Sequence, residues 1–172
     1  MILCRQNLKN IHTAGRQGIP DSLCSLPEKV LRFGPGVLLR GLPDYFIDKA
    51  NRQGLFNGRV IVVKSTDGGD MAAFEKQEGL YTLCIRGLDN GKPVEENIIN
   101  TTEVGLQLVK ESINQQPPVS YPGKLLAFLF ERFKAFHGMP GSGMVIIPTE
   151  LIIDNGKKLK SILLELASFN GL

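Results

Sequence analysis

Val30-Leu31-Arg32-Phe33-Gly34-Pro35-Gly36-Val37-Leu38-Leu39-Arg40-Gly41 runs a short apolar strand into two glycines and then into an apolar-periodic segment. A second apolar strand, Arg59-Val60-Ile61-Val62-Val63, comes next. Strand, glycine turn, helix and strand within about thirty residues make the opening βαβ unit of a dinucleotide-binding sheet. Glycines at 34 and 36 lack the Cβ atoms that would keep a pyrophosphate off the main chain. The helix that follows turns its unpaired N–H groups toward the anion. The spacing departs from the full fingerprint, because Leu39 stands where a third small residue belongs and Gly41 comes two places late. The bland alternative for the same residues is a tight strand-to-helix turn that holds no ligand.

The bulk numbers agree with a globular chain. Hydrophobic residues make up 42% of 172 residues, enough for one domain with its own core. Twenty bases against 17 acids give a net charge of +3, and no basic block stands out, which argues against nucleic acid as a partner. Cys4, Cys24 and Cys84 form no C-x-x-C pair and read as free thiols in a reducing compartment. His12 and His137 are the only histidines, too few soft ligands to suggest a zinc site, and no metal is expected. No apolar run approaches the roughly 20 residues that span a bilayer, and Met1-Ile2-Leu3-Cys4-Arg5 lacks a signal-peptide core. The expectation is a soluble, cytoplasmic protein with no membrane partner.

Along the chain, residues 1–27 are polar and broken by Gly15, Gly18 and Pro20, as in an N-terminal arm. Residues 29–33 form the first strand. Leu38, Leu42, Tyr45, Phe46 and Ala50 fall at helical spacing, but Pro43 either starts the helix proper or kinks it. Gly54 and Asn57-Gly58 turn the chain into the second strand, and residues 66–79 are a polar connection. Residues 80–86 and 92–99 flank Asp89-Asn90-Gly91 and predict a hairpin. A helix is expected over 103–113, with Gln115-Gln116-Pro117-Pro118 stopping it. Ser120 then caps a helix bearing Leu125, Leu126, Leu129, Phe130, Phe133 and Phe136 on one apolar face. Met144-Val145-Ile146-Ile147-Pro148 reads as a buried strand, and a last helix after Asn155-Gly156 turns Leu159, Ile162, Leu163 and Leu166 inward. The alternation predicts an α/β fold: a Rossmann-like, mostly parallel sheet with helices on both faces and an inserted β-hairpin.

Several further residues are candidates for chemistry. Arg40 is near enough to the glycine turn to reach phosphate, although an exposed arginine is commonly just solvated. At the end of the second strand, Lys64-Ser65-Thr66 suits a 2′-phosphate and hence NADP, while Asp67 suits a ribose hydroxyl and hence NAD; the residues alone leave both open. Asn100-Thr101-Thr102-Glu103 joins an apolar segment to the expected helix. That places it either at the cofactor crevice or in a plain helix cap. Glu150 follows the late strand, where active-site groups sit, though a loop before a capped helix explains it too. His137, at a helix C-terminus, reads as structural.

Together these segments go beyond a generic nucleotide fold. Residues 33–41 resemble the N-terminal fingerprint of the mannitol dehydrogenase family of long-chain polyol dehydrogenases, and most of all its tagaturonate reductase (altronate oxidoreductase) branch. Four further segments agree with that branch: Glu78-Gly79-Leu80-Tyr81-Thr82 through Ile85-Arg86-Gly87-Leu88; Asn100-Thr101-Thr102-Glu103-Val104-Gly105; Val119-Ser120-Tyr121-Pro122 through Phe133; and Ile147-Pro148-Thr149-Glu150-Leu151-Ile152 with Asn155-Gly156. The likeness covers about residues 28 to 172 and is far more specific than one glycine pair.

The resemblance implies a metal-independent, NAD-linked reduction of D-tagaturonate to D-altronate in hexuronate breakdown. Residues 30–41 would hold the pyrophosphate, and Asn100, Thr101, Thr102 and Glu103 would lie near the nicotinamide ribose. Glu150 and Asn155 would face the substrate side. The branch has a basic residue where Lys64 stands and is associated with NAD, which favours NAD over NADP. Two departures are expected to matter. The family places a strand–helix segment between the stretch like Glu96-Asn97-Ile98-Ile99 and the Asn-Thr-Thr-Glu motif, whereas here Ile99 meets Asn100 directly. The family's helical C-terminal domain, which carries its catalytic lysine, has no counterpart up to Leu172. Residues 28–172 are therefore expected to be an incomplete NAD-binding domain without the catalytic domain, and no catalytic residue is assigned. The alternatives are a nucleotide-binding module without catalysis, a family relative acting on fructuronate, mannitol or mannitol 1-phosphate, and an α/β interaction protein whose glycine turn is only a turn.

Overall fold

The computed structural model describes residues 2–10, 16–64, 72–104, 118 and 120–172. They fall into two compact units, Met1–Lys64 with Gly68–Leu106 and Ser65–Asp67 with Gln107–Leu172.

The first unit is α/β. After a 3-10 turn at Arg5–Asn10 come β1 (Arg16–Gln17), α1 (Asp21–Cys24), β2 (Glu28–Phe33), α2 (Val37–Gly41), α3 (Pro43–Arg52) and β3 (Arg59–Val63). They are followed by α4 (Ala72–Lys76), β4 (Leu80–Asp89), β5 (Lys92–Thr101) and β6 (Glu103–Val104). One sheet is parallel, in the order β2-β3-β6; the other has the order β1-β5-β4, with β4 and β5 antiparallel. Residues 60–63 of β3 are all buried, as the continuous apolar run of a central parallel strand requires. Val60 and Val62 pack with Phe74 and Tyr81, and Val30, Ile47 and Leu83 close around them. β2 and β3 end in register, Phe33 opposite Val63, so Gly34 and Lys64 leave the same edge of the sheet.

Pro43 does start a helix. Leu42 lies between α2 and α3 at φ −114° and ψ −77°, and Pro43, which has no N–H to give, takes the first position of α3. The apolar stripe Leu38, Leu42 and Phe46 faces outward, while Asp44 and Asp48 are buried. At the far end of α3, Asn51 donates to the Gly58 carbonyl at 2.8 Å and accepts from its N–H at 3.2 Å, closing the turn into β3.

The hairpin forms with Asn90 and Gly91 at its tip, both at positive φ. Its strands run ten residues each and take in Asn100 and Thr101. At its base the Thr102 N–H and hydroxyl both donate to the Gly79 carbonyl, at 3.1 and 3.2 Å. Gly79 has φ +72°, and a Cβ there would stand 1.8 Å from the Thr102 carbonyl oxygen, so no side chain fits. Past this point the expected helix does not begin at Glu103. Glu103 and Val104 pair parallel with Ile61 and Val62, which offer a strand edge to the chain leaving Thr102. The remainder of that expected helix lies outside the described residues.

The second unit packs α5 (Tyr121–Ala135) against α6 (Asn155–Phe169), with a 3-10 turn at Pro140–Ser142. Ser120 caps α5 by accepting from the Gly123 N–H at 3.3 Å. Leu125 and Leu159 are buried, Leu126, Leu129, Phe130, Ile162, Leu163 and Leu166 are half-buried, and Phe133 and Phe136 are exposed. The buried strand expected at residues 144–148 is not there: the run is irregular, with Val145 and Ile147 86% and 78% exposed. Among the described residues of this unit no strand lies beside it to form a ladder.

Candidate functional site

The glycine turn leaves the C-terminal edge of the parallel sheet. Gly34 has φ +96°, outside the range L side chains adopt readily, and its N–H donates to the Val63 carbonyl at 2.7 Å. Gly36 has an ordinary extended conformation (φ −56°, ψ 149°) and precedes α2. A Cβ on Gly36 would meet nothing within 4 Å. The two glycines therefore do different work. Gly34 permits the bend, and Gly36 leaves open space in front of the main chain. Val37 and Leu38 are exposed, while Leu39, Arg40 and Gly41 are half-buried.

Behind this turn lies a buried polar cluster. Arg32 donates through Nη1 to the Gly34 carbonyl, and its Nη2 stands 3.0 Å from Asp44 Oδ2, with the two side chains 7% and 2% exposed. The Tyr81 hydroxyl lies 3.1 Å from the Arg40 carbonyl and 3.3 Å from Asp44 Oδ2. Burial lowers the Arg32 pKa against the pull of Asp44, and burial raises that of Asp44 against the pull of Arg32. Burial, then the Asp44 charge, pushes the Tyr81 phenol far up, so it stays protonated as a donor. The Arg40 guanidinium is centred 5.5 Å from the Tyr81 ring centroid and 6.0 Å from that of Phe74. Among the described residues no hydrogen bond or ion pair ties that guanidinium.

Other candidates fall in different places. Lys64, half-buried, follows β3 level with Gly34; Ser65, Thr66 and Asp67 lie outside the described residues. Asn100 is enclosed opposite Tyr81, its Oδ1 accepting from the Thr101 N–H at 3.0 Å while Nδ2 has no partner. It lines a small cleft under α3 with Thr101, Asp44 and Asp48. Thr102 is enclosed as well, held by Gly79, and Glu103 runs beside Ile61. The hairpin accounts for this: β5 carries Asn100 into the core and leaves Thr101 half-buried before the chain reaches the parallel sheet. In the second unit, Asn155 Nδ2 donates to the Glu150 carbonyl at 2.9 Å and to its carboxylate at 3.1 Å. Tyr121 has a raised pKa from burial, then from Glu150. Among the described residues no group of three His, Cys, Asp or Glu is placed to hold a metal, and no helix is long and apolar enough to cross a membrane.

Sequence reading missed Asp44 and Tyr81 as partners of the turn. The available signal was Arg32, a charge inside an otherwise apolar strand that needs a buried counter-charge.

No family model matches the sequence. Relatives do. An altronate oxidoreductase of Halalkalibacterium halodurans is 35% identical over 170 aligned positions, covering 80% of this chain and 33% of the relative. That of Bacillus subtilis is 34% identical over 183 positions, covering 88% and 38%. By sequence, the chain is similar to altronate oxidoreductases over most of its own length. It spans about a third of the length of the curated altronate oxidoreductases it matches, 33–39% among these and that of Yersinia enterocolitica. An alignment of 170 positions that takes in only 80% of 172 residues means that the relative carries residues inside the matched stretch which this chain lacks. In fold, the chain is similar to Pseudomonas fluorescens mannitol 2-dehydrogenase, solved with NAD and D-mannitol. The TM-score is 0.62 at 16% identity, over 79% of this chain and 37% of that one.

Proposed function

We propose that the first unit holds the NAD(H) of a cytoplasmic oxidoreductase that converts D-tagaturonate to D-altronate. The observation that carries the reading is the glycine turn: it leaves two parallel strands that end in register, and Gly36 fronts open space. Kinship with altronate oxidoreductases supports the oxidoreductase class, and the three free cysteines suit a reducing compartment.

The residues present fit a dinucleotide. The main chain of residues 34–38 would take the pyrophosphate in the space before Gly36, with the β2 residues Val30, Leu31, Arg32 and Phe33 behind it. Arg40, propped on two aromatic rings, and Lys64, which follows β3 level with Gly34, would be the candidate positive charges for this turn. Glu103, in the parallel sheet, and Asn100, Thr101 and Thr102, at the hairpin base with Asn100 and Thr102 enclosed, would lie near the nicotinamide ribose. In the second unit, Glu150 and Asn155, tied to each other, would be the substrate-side candidates. When bound, the coenzyme supplies hydride to a carbonyl carbon. The alkoxide so formed needs a proton donor, and none of these residues is assigned that role.

The test is titration of NADH fluorescence on the 172-residue chain, followed by NADH oxidation with tagaturonate. Saturable binding without turnover is the expected result. Absence of saturable binding overturns the coenzyme reading, and clear turnover overturns the reading that none of these residues supplies the proton.

A further inference from the structure

Arg32, Asp44 and Tyr81 come from β2, α3 and β4, and between them they hold two main-chain carbonyls. Arg32 holds that of Gly34, where the glycine turn begins. Tyr81 holds that of Arg40, at the far end of the same segment. Asp44 stands between them, 3.0 Å from Arg32 and 3.3 Å from the Tyr81 hydroxyl. The segment between these two carbonyls is the one with open space before Gly36. Tyr81 also supports Arg40 a second time, through the face of its ring.

Such a cluster is a poor source of stability. Desolvating two charges offsets most of their attraction, and apolar groups of similar volume commonly serve as well or better. Asp44 Oδ1 and Arg32 Nε also lack hydrogen-bond partners, so the network is incompletely satisfied. What it supplies that apolar packing cannot is direction, since each hydrogen bond fixes where a peptide plane points.

We propose that Arg32, Asp44 and Tyr81 are positioning residues that hold residues 34–40 in one main-chain conformation for an anionic ligand. The identity of that ligand as NAD(H) rests on the function proposed above; the positioning itself does not.

The experiment compares the 172-residue chain with the paired variant Arg32→Met with Asp44→Leu, and with Tyr81→Phe. Three readouts are taken: the urea midpoint, amide hydrogen exchange at residues 36–41, and NADH affinity. The paired variant is expected to keep its urea midpoint while exchange at residues 36–41 accelerates and NADH binds about tenfold more weakly. Tyr81→Phe, which removes one hydroxyl, is expected to accelerate the same amides and serves if the paired variant fails to fold. Unchanged exchange in a folded variant overturns the proposal. So does a uniform rise across the whole first unit, which marks lost stability instead. If the parent chain binds no NADH, the coenzyme reading fails, while the exchange data still decide whether the cluster positions the segment.

Discussion

Substitutions at the two glycines of the turn should fail in opposite ways. At Gly36 the backbone is extended and a Cβ meets open space, so valine is tolerated by the fold. The expected change in unfolding free energy is within about 0.5 kcal/mol. The new side chain fills the space a diphosphate would occupy, removing charge-assisted hydrogen bonds worth about 1.5–3 kcal/mol. That corresponds to NADH binding weakened by about 10- to 150-fold. At Gly34 the constraint is the backbone itself, φ +96°, so Gly34→Ala should cost about 1–3 kcal/mol of stability. Urea denaturation reads the first quantity and NADH fluorescence titration the second. Gly36→Val with parental affinity would show that no ligand approaches the main chain there. Gly34→Ala with parental stability would refute the strain argument.

Two further outcomes follow from the buried charges. Arg52 pairs with Asp48 at 2.6 Å and donates to the Gly18 and Ile99 carbonyls, so Arg52→Ala strands a buried carboxylate. A loss of about 3–5 kcal/mol in urea unfolding is expected, and a loss below about 1 kcal/mol would contradict it. Burial holds the Asp44 carboxyl above its ordinary value of 3.8. The folded chain thus binds this proton more tightly than the unfolded chain, and the stability this contributes is complete below 3.8 and lost as pH rises through the folded pKa. The urea midpoint of the parent should therefore fall relative to Asp44→Asn on going from about pH 4 to pH 7. Asp48, shifted the same way by burial, is common to both chains and cancels. A constant difference would refute the assigned direction.

Local signals served well where the structure is local. Asn90-Gly91 announces the hairpin, Ser120 its capped helix, and the apolar run of residues 60–63 a strand of the parallel sheet. Periodicity failed where burial depends on distant partners. Leu38 on α2, Leu42 between the helices and Phe46 on α3 turn outward, while Asp44 and Asp48 on α3 turn inward, because Arg32 from β2 and Arg52 from α3 itself pair with them. An apolar count has no way to see that. Met144 to Ile147 have a strand's composition, but composition does not supply a neighbouring strand. The same holds for Asn100: its residue type marks it as a candidate, but its enclosure depends on how far the hairpin runs, which only the pairing of β4 with β5 reveals.

The clasp between Gly79 and Thr102 has an engineering consequence. Because the two legs of the hairpin are locked together at its base, where Gly79 enters β4 and Thr102 leaves β5, a change at the tip lies ten residue pairs away from that clasp. The exposed bend at Asn90 and Gly91 is thus the place on this unit to graft a foreign peptide or a reporter loop.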